Sequence, residues 1–173
     1  MQLLIVRHAI AEAQESWAQE SWALKALPEE QRPLTDFGRR RMRKNARGLR
    51  RLIARPEVIG TSPYARAVET ARILAEAFGG VEVETVPELV PGGRPAQLLP
   101  WLTSWRAADL VAVVGHQPSL GILLTWLLSG RESPNAEFKK GGASLVDLGS
   151  EPRPGTAVLH WLLTPAQLRA LAE

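Results

Sequence analysis

The chain has 173 residues, of which 45% are hydrophobic and 23% charged, with a formal net charge of +3. These proportions exclude a disordered or fibrous protein, and the length predicts one domain over residues 1–173. The lack of cysteine excludes disulfides, thiolate nucleophiles and cysteine zinc sites. It also favours a reducing compartment, so we expect the protein in the cytoplasm. The apolar run at residues 2–6 is too short for a signal peptide or a membrane span.

Short apolar runs rich in β-branched residues alternate with longer helical patterns. In chain order, the predicted elements are a strand at 2–6, a helix at 36–54, a strand at 57–60, a helix at 63–78, a strand at 81–86, a helix at 95–105, a strand at 110–114, a helix at 118–130, strands at 143–148 and 157–162, and a short helix from Pro165. Thr35 or Asp36 is the predicted N-cap of the first helix, and Ser62 that of the second. The alternation is typical of an α/β sandwich, and the turn-forming residues at 149–155 predict a hairpin between the last two strands.

Two segments stand out from this alternation. Residues 11–32 form a polar insertion in which the pentapeptide QESWA occurs twice in succession, and its Trp17 and Trp22 could fold over a pocket as a lid. Residues 39–55 carry nine Lys or Arg residues and no acid. Such a charge run could attract phosphate, acidic protein or nucleic acid, but a solvated helix face is the simpler interpretation. No aromatic residues interleave with these arginines, so we do not expect nucleic acid to bind.

Polar side chains follow three of the predicted strands. Arg7 and His8 follow the first strand, Ser62 and Arg66 follow the second, and His116 follows the fourth. Open α/β sheets place their ligand sites beyond the carboxyl ends of the strands. Two arginines, two histidines and a helix N-terminus at Ser62 can therefore converge on one anion pocket.

Such a pocket suits phosphoryl transfer, in which the protein mainly positions the reactants and neutralises charge. The planar forks of Arg7 and Arg66 can each donate two parallel hydrogen bonds to a phosphate. His8 can attack phosphorus through a neutral ring nitrogen if its other nitrogen donates a hydrogen bond, for example to a backbone carbonyl. His116 would then donate to the phosphoryl group. His160 has no polar company and is interpreted as a strand-face residue.

Three motifs in the chain resemble those of the histidine phosphatase superfamily. Residues 4–9 read LIVRHA, residues 62–71 read SPYARAVETA, and residues 114–118 read VGHQP. They occur in the family order, and the resemblance extends over essentially the whole chain. It implies a phosphoglycerate mutase-like fold, a three-layer α/β/α sandwich with a mostly parallel central sheet. It further implies a phosphohistidine intermediate at His8 and a phosphate pocket of Arg7, Arg66 and His116, with no metal and no cofactor.

Further segments indicate a branch of the superfamily. Residues 32–38 (RPLTDFG) and 86–93 (VPELVPGG) look most like the SixA branch of protein phosphohistidine phosphatases. Ala9 departs from the usual glycine after the histidine, and we expect activity to survive this change. The mutase and sugar-phosphatase branches carry a glutamate general acid, for which Glu88 is the nearest candidate here. Glu88 can equally be interpreted as a loop or helix-cap residue.

The absence of a clearly assigned general acid favours one class of substrate. Hydrolysis of an alkyl phosphate is faster when a general acid protonates the leaving oxygen. The leaving group of phosphohistidine is a neutral imidazole once its nitrogen is protonated, so this substrate needs the acid less. We therefore predict a metal-independent phosphatase that removes phosphate from phosphohistidine on a protein partner, with no membrane involved. The alternatives are a phosphatase for small esters, such as sugar, nucleotide or cofactor-precursor phosphates, and a phosphate-binding module without turnover. The sequence does not indicate an oligomeric state.

Overall fold

The computed structural model describes residues 1–13 and 28–173, and these form one mixed sheet with helices packed on both faces. Its strands are β1 (Gln2–Arg7), β2 (Val58–Thr61), β3 (Glu82–Thr85), β4 (Leu110–Gly115), β5 (Ala143–Asp147) and β6 (Val158–Leu163). Its helices are α1 (Asp36–Leu49), α2 (Ala65–Ala77), α3 (Pro95–Ser104), α4 (Ser119–Ser129) and α5 (Pro165–Ala170), with short 3-10 helices at Glu29–Gln31 and Pro87–Leu89.

The strand order is β3-β2-β4-β1-β5-β6. The first four strands of this order are parallel to one another, whereas β5 pairs antiparallel with both β1 and β6. β1 and β4 lie at the centre, where every residue of β4 is buried. Because these strands are covered on both faces, their sequences are continuous apolar runs rather than alternating ones.

Successive side chains of β1 point to opposite faces of the sheet and join two separate cores. Leu4 and Val6 pack in one core with apolar residues of α1, α2 and α5. Leu3 and Ile5 pack in the other core with leucines of α3 and α4. The result is a three-layer α/β/α sandwich, which confirms the predicted fold class.

The predicted β5–β6 hairpin is confirmed by the antiparallel register of the two strands. Thr35 is confirmed as the N-cap of α1, since its side chain accepts a hydrogen bond from the Gly38 amide at 2.8 Å. The expected stop after α4 is also present, because Gly130 adopts a left-handed conformation with φ 75°.

Two predicted helix boundaries are wrong, the C-terminal end of α1 and the start of α2. α1 ends at Leu49 rather than at residue 54, and the amides of Leu52 and Ile53 turn back to the Leu49 carbonyl. α2 begins at Ala65 rather than at residue 63, and its N-cap is Tyr64, with no side-chain cap. The helical pattern alone does not reveal these ends, because the chain turns there to reach the next packed element.

The insertion predicted at residues 11–32 lies partly within the described residues. Ala11 forms an isolated antiparallel bridge with Leu34, and the Glu12 amide donates to the Pro33 carbonyl at 3.0 Å. The predicted lid residues Trp17 and Trp22 fall in residues 14–27, outside the described residues. Among the helices that the structure describes, none has both the length and the apolar content needed to cross a membrane.

Candidate active site

Three neighbouring parallel strands deliver the predicted site residues to one edge of the sheet. β1 ends at Arg7, β2 at Thr61 and β4 at Gly115. β4 lies between β1 and β2, so its carboxyl end adjoins both of theirs. The residues that follow these strands therefore meet at the same edge.

The meeting point is a cleft of about 340 Å³. Its lining residues are Arg7, His8, Glu29, Arg32, Tyr64, Arg66, Pro91, His116, Gln117 and Lys140. Four of them are Arg or Lys and one is a carboxylate, so the cleft is cationic. A phosphoryl group carries the complementary charge.

His8 is held in the tautomer needed for a nucleophile. It is 6% exposed, and its Nδ1 lies 2.7 Å from the backbone carbonyl of Ala9, so Nδ1 carries the proton. Nε2 is then the unprotonated nitrogen. Burial, together with the charges of Arg66 and Arg7, lowers the pKa of His8 to about 3, outweighing the Ala9 hydrogen bond that raises it. The ring is therefore neutral at physiological pH.

The backbone around His8 is fixed from two sides. The amide of Ala9 donates to the Thr70 hydroxyl of α2 at 3.0 Å, and that hydroxyl donates to the Arg66 carbonyl at 2.6 Å. The Gly141 amide reaches the carbonyls of both Arg7 and His8. The first and second motifs are thus bridged by a single buried hydroxyl, that of Thr70.

The two predicted arginines retain free donors. Arg7 Nη1 donates to the Phe138 carbonyl at 2.6 Å, and Arg66 Nη1 donates to the Glu29 carbonyl at 3.1 Å. Nε of each arginine is buried and has no hydrogen-bond partner in the described part of the chain. Burial lowers the pKa of Arg66, and the nearby charge of Arg32 lowers it further. An anion in the cleft would offset the crowded positive charge.

His116 faces His8 across the cleft, with a ring-centroid separation of 5.1 Å. Its Nε2 lies 2.9 Å from the Ser62 hydroxyl, while its Nδ1 is buried and has no partner among the described residues. Burial lowers the pKa of His116 well below its usual value, and the positive charges of Arg66 and Arg7 lower it further. Ser62 fixes the orientation of this ring.

Glu29 is the carboxylate in the cleft. It accepts hydrogen bonds from Nε and Nη2 of Arg32, the shortest being 2.7 Å, and its Oε1 lies 3.3 Å from Arg66 Nη1. Arg32 also donates to the Glu12 carbonyl at 2.6 Å. These contacts bring both described ends of the insertion to the rim of the cleft.

The structure brings four of the predicted residues together in the cleft: Arg7, His8, Arg66 and His116. Ser62, predicted to contact phosphate, instead is fully buried behind His116 and does not line the cleft. The anion site predicted at the N-terminus of α2 is shifted too, because that helix starts three residues after Ser62.

Glu88 does not lie in the cleft. It belongs to the 3-10 helix Pro87–Leu89 and lines a separate cavity with Arg94 and Ser119. Within residues 1–13 and 28–173, no group of three or more His, Asp or Glu side chains is placed to hold a metal ion.

Sequence reasoning missed several residues of the cleft. Tyr64 and Gln117 lie inside the second and third motifs, so their positions carried a signal, and Arg32 opens the RPLTDFG segment. Glu29 and Lys140 lie in connecting segments whose sequences match none of these motifs. Only the tertiary structure places them beside His8.

Two neutral histidines and two arginine forks at the carboxyl ends of adjacent strands of an α/β/α sandwich suit phosphoryl transfer. The sequence matches the model of the histidine phosphatase superfamily (branch 1) over residues 3–90. An uncharacterised protein of Picosynechococcus sp. is 35% identical over 144 residues, 82% of each chain. The phosphohistidine phosphatase SixA of Escherichia coli is 27% identical over 172 residues, 98% of this chain and 97% of that one.

A solved structure of the protein histidine phosphatase SixA complexed with tungstate superimposes with a TM-score of 0.81 at 26% identity. The match covers 97% of this chain and 99% of that one. The chain belongs to the histidine phosphatase superfamily and is a phosphatase of that type. The predicted superfamily, its SixA-like character and the phosphoglycerate mutase-like fold are confirmed.

Proposed function

We propose that the chain removes phosphate from phosphohistidine on a protein partner, through a phosphohistidine intermediate on His8. The observation that carries this proposal is the 2.7 Å contact between His8 Nδ1 and the Ala9 carbonyl, within a cleft that also contains Arg7, Arg66 and His116. This contact leaves the lone pair of Nε2 available for attack on phosphorus.

The reaction takes two steps. In the first, the P–N bond of the substrate breaks as a bond forms between phosphorus and His8 Nε2, and the leaving imidazole nitrogen takes a proton from solvent. In the second, water forms a P–O bond as the bond between phosphorus and Nε2 breaks, so that Nε2 recovers its lone pair and the phosphate leaves with both protons of the water. Arg7, Arg66 and His116 donate hydrogen bonds to the phosphoryl oxygens in both steps.

The acid–base properties of the cleft support a P–N substrate. Glu88 lies in another cavity, and Glu29 is bound as an acceptor by Arg32 and Arg66. A carboxylate in that position is poorly placed to donate a proton to an alkoxide. Phosphohistidine needs that proton less, because its leaving group is a neutral imidazole. Similarity to SixA over nearly the whole chain supports the same substrate class.

A small phosphoester is the second candidate, and Glu29 is the observation that favours it. Its carboxylate is part of the cleft lining, and a carboxyl group there could act as general acid once a bound phosphate replaces it on Arg66. Glu29→Gln distinguishes the two substrates. It should sharply reduce hydrolysis of an alkyl ester only if that ester is the true substrate.

Side-by-side kinetics test the substrate. We expect kcat/KM for a histidine-phosphorylated protein to exceed the values for sugar, nucleotide and p-nitrophenyl phosphates. Efficient hydrolysis of one small ester, lost in Glu29→Gln, would instead establish the second candidate.

The role of His8 has a separate test. His8→Asn should abolish turnover and the acid-labile phosphoenzyme that a rapid quench with labelled substrate traps in the unaltered protein. His160→Asn is the matched control, because His160 is exposed on β6 and should leave both signals unchanged. Normal turnover by His8→Asn would refute the proposed intermediate.

A further inference from the structure

A second cationic cavity adjoins the catalytic cleft. It has a volume of about 30 Å³ and lies between α1 and α5. We call it the basic notch and define it by Arg41, Asn45, Lys140 and Arg169. Lys140 lines both the notch and the catalytic cleft, so the two sites are adjacent.

The notch contains positive charge without a counterion. Its lining residues include three cations and no acid. Arg169 donates to the Asn45 side-chain oxygen at 3.3 Å, and Asn45 in turn donates to the Gly141 carbonyl at 2.9 Å. Burial lowers the pKa of Arg169, and the charge of Arg41 lowers it further. An anion in the notch would relieve this repulsion.

The exposed face of α1 extends the same charge. Lys44 lies one helical turn beyond Arg41, and neither has an ion-pair partner among the described residues. Phe37 is 47% exposed, and the Arg41 guanidinium lies 4.5 Å from the centre of its ring. An exposed aromatic ring next to arginine is typical of protein interfaces.

We propose that the basic notch and the adjoining face of α1 bind an acidic segment of the phosphorylated protein, with a carboxylate in the notch while phosphohistidine occupies the catalytic cleft. This inference rests on the proposed function, because it requires a protein substrate. It gives Arg41 and Lys44, two of the basic residues at 39–55, a role in substrate choice.

Size and placement favour an acidic protein segment over nucleic acid. The volume of the notch suits a group as small as a single carboxylate. Single-stranded nucleic acid stacks successive bases on several aromatic rings, whereas Phe37 is the one exposed aromatic ring on α1. Because Lys140 lines both cavities, a carboxylate bound in the notch would lie within a few residues of the phosphohistidine in the cleft.

Two peptides test the proposal. Each carries one phosphohistidine, flanked by glutamates in the first peptide and by glutamines in the second. We expect kcat/KM to be about three- to tenfold higher for the glutamate peptide, since partly exposed ion pairs contribute modestly. The ratio should approach one in Arg41→Gln/Arg169→Gln and should fall with added NaCl. Arg106→Gln, in the opposite helical layer, should keep the preference.

A charge-reversed variant guards against a merely destabilised protein. Arg41→Glu should prefer a lysine-flanked phosphohistidine peptide, a gain that partial unfolding cannot produce. Equal kcat/KM for the glutamate and glutamine peptides, or a preference that survives in the double variant, would overturn the notch proposal alone. If neither peptide is hydrolysed while a small ester is, the protein-substrate function fails as well.

Nucleic acid binding is measured separately with a labelled 20-mer DNA in fluorescence anisotropy. We expect no binding at physiological salt. Tight binding that disappears in Arg41→Gln/Arg169→Gln, without a preference between the peptides, would assign the notch to nucleic acid and overturn the proposal.

Discussion

His8 and His116 are kept neutral by their surroundings. Both rings are buried, and the positive charges of Arg66 and Arg7 disfavour adding another proton. A protonated His8 could not attack phosphorus, so in the proposed mechanism the positive charge that would attract phosphate also keeps the nucleophile unprotonated. A bound phosphate would reverse this balance by offsetting the arginine charges.

Because these histidines are buried in their neutral form, the free energy of unfolding should depend on pH. The folded-state pKa of His8 is about 3, below its ordinary value of 6.5. Between these values the unfolded chain binds the extra proton, so the free energy of unfolding falls as pH falls from about 6.5. The slope from one such histidine is on the order of 1 kcal/mol per pH unit. Urea denaturation between pH 7 and 4.5 should show a shallower decline for His8→Asn.

The exposed His160 provides the comparison for that experiment. His160→Asn removes a surface histidine and leaves the buried pair intact, so the difference between the two variants isolates the contribution of the buried His8 ring. An identical slope for His8→Asn and the unaltered protein would show that His8 is not buried neutral in the folded state.

At the scale of elements, the contact between α1 and α5 depends on a glycine, Gly48, which has no side chain to separate the two helices. A Cβ on Gly48 of α1 would overlap the backbone carbonyl of Leu168 in α5. Leu168 is fully buried in the core shared by α1 and α2, and Arg169 beside it lines the basic notch. The glycine therefore sets how closely α5 approaches α1.

Gly48→Ala reverses the usual helix preference. Alanine ordinarily stabilises a helix by about 1 kcal/mol relative to glycine. Here α5 must shift, and we expect a net loss of about 1–3 kcal/mol in the free energy of unfolding. Thermal or urea denaturation measures it, with the exposed neighbour Arg47→Ala as a control expected within about 0.5 kcal/mol of the unaltered protein. A stabilised Gly48→Ala protein would contradict the close contact.

At the scale of the whole molecule, the cleft exists because of the order of the strands. β1, β4 and β2 are adjacent in the sheet although β2 and β4 are separated in the chain by β3 and by the α-helices α2 and α3. Their parallel directions bring three motifs to one edge. The cleft therefore forms only when the sheet is complete, and ligand binding is linked to global folding.

This linkage predicts stabilisation by phosphate. Inorganic phosphate at 100 times its Kd should add about 2.7 kcal/mol to the free energy of unfolding and raise Tm accordingly. NaCl at equal ionic strength should not. Arg66→Gln should lose most of the phosphate effect, whereas Arg72→Gln, exposed on α2, should keep it. An equal phosphate shift in both variants would place the anion elsewhere.

Much of the fold could be predicted from local pattern. Continuous apolar runs marked β1 and β4, and Thr35 marked the start of α1. The C-terminal end of α1 and the start of α2 could not be predicted, because tertiary packing and a turn at Ser62 override helical periodicity there. Motif residues reached the cleft because they directly follow strands.

The sequence by itself determined that His8, Arg7, Arg66 and His116 follow three strands, and a parallel sheet then requires their side chains to meet. The tertiary structure alone decided what surrounds them. It brought Glu29 and Lys140 to the cleft from connecting segments, placed Ser62 behind His116, and left Glu88 in another cavity. A strand end is a local property of the sequence, whereas the path of a loop depends on what the rest of the chain leaves free to contact.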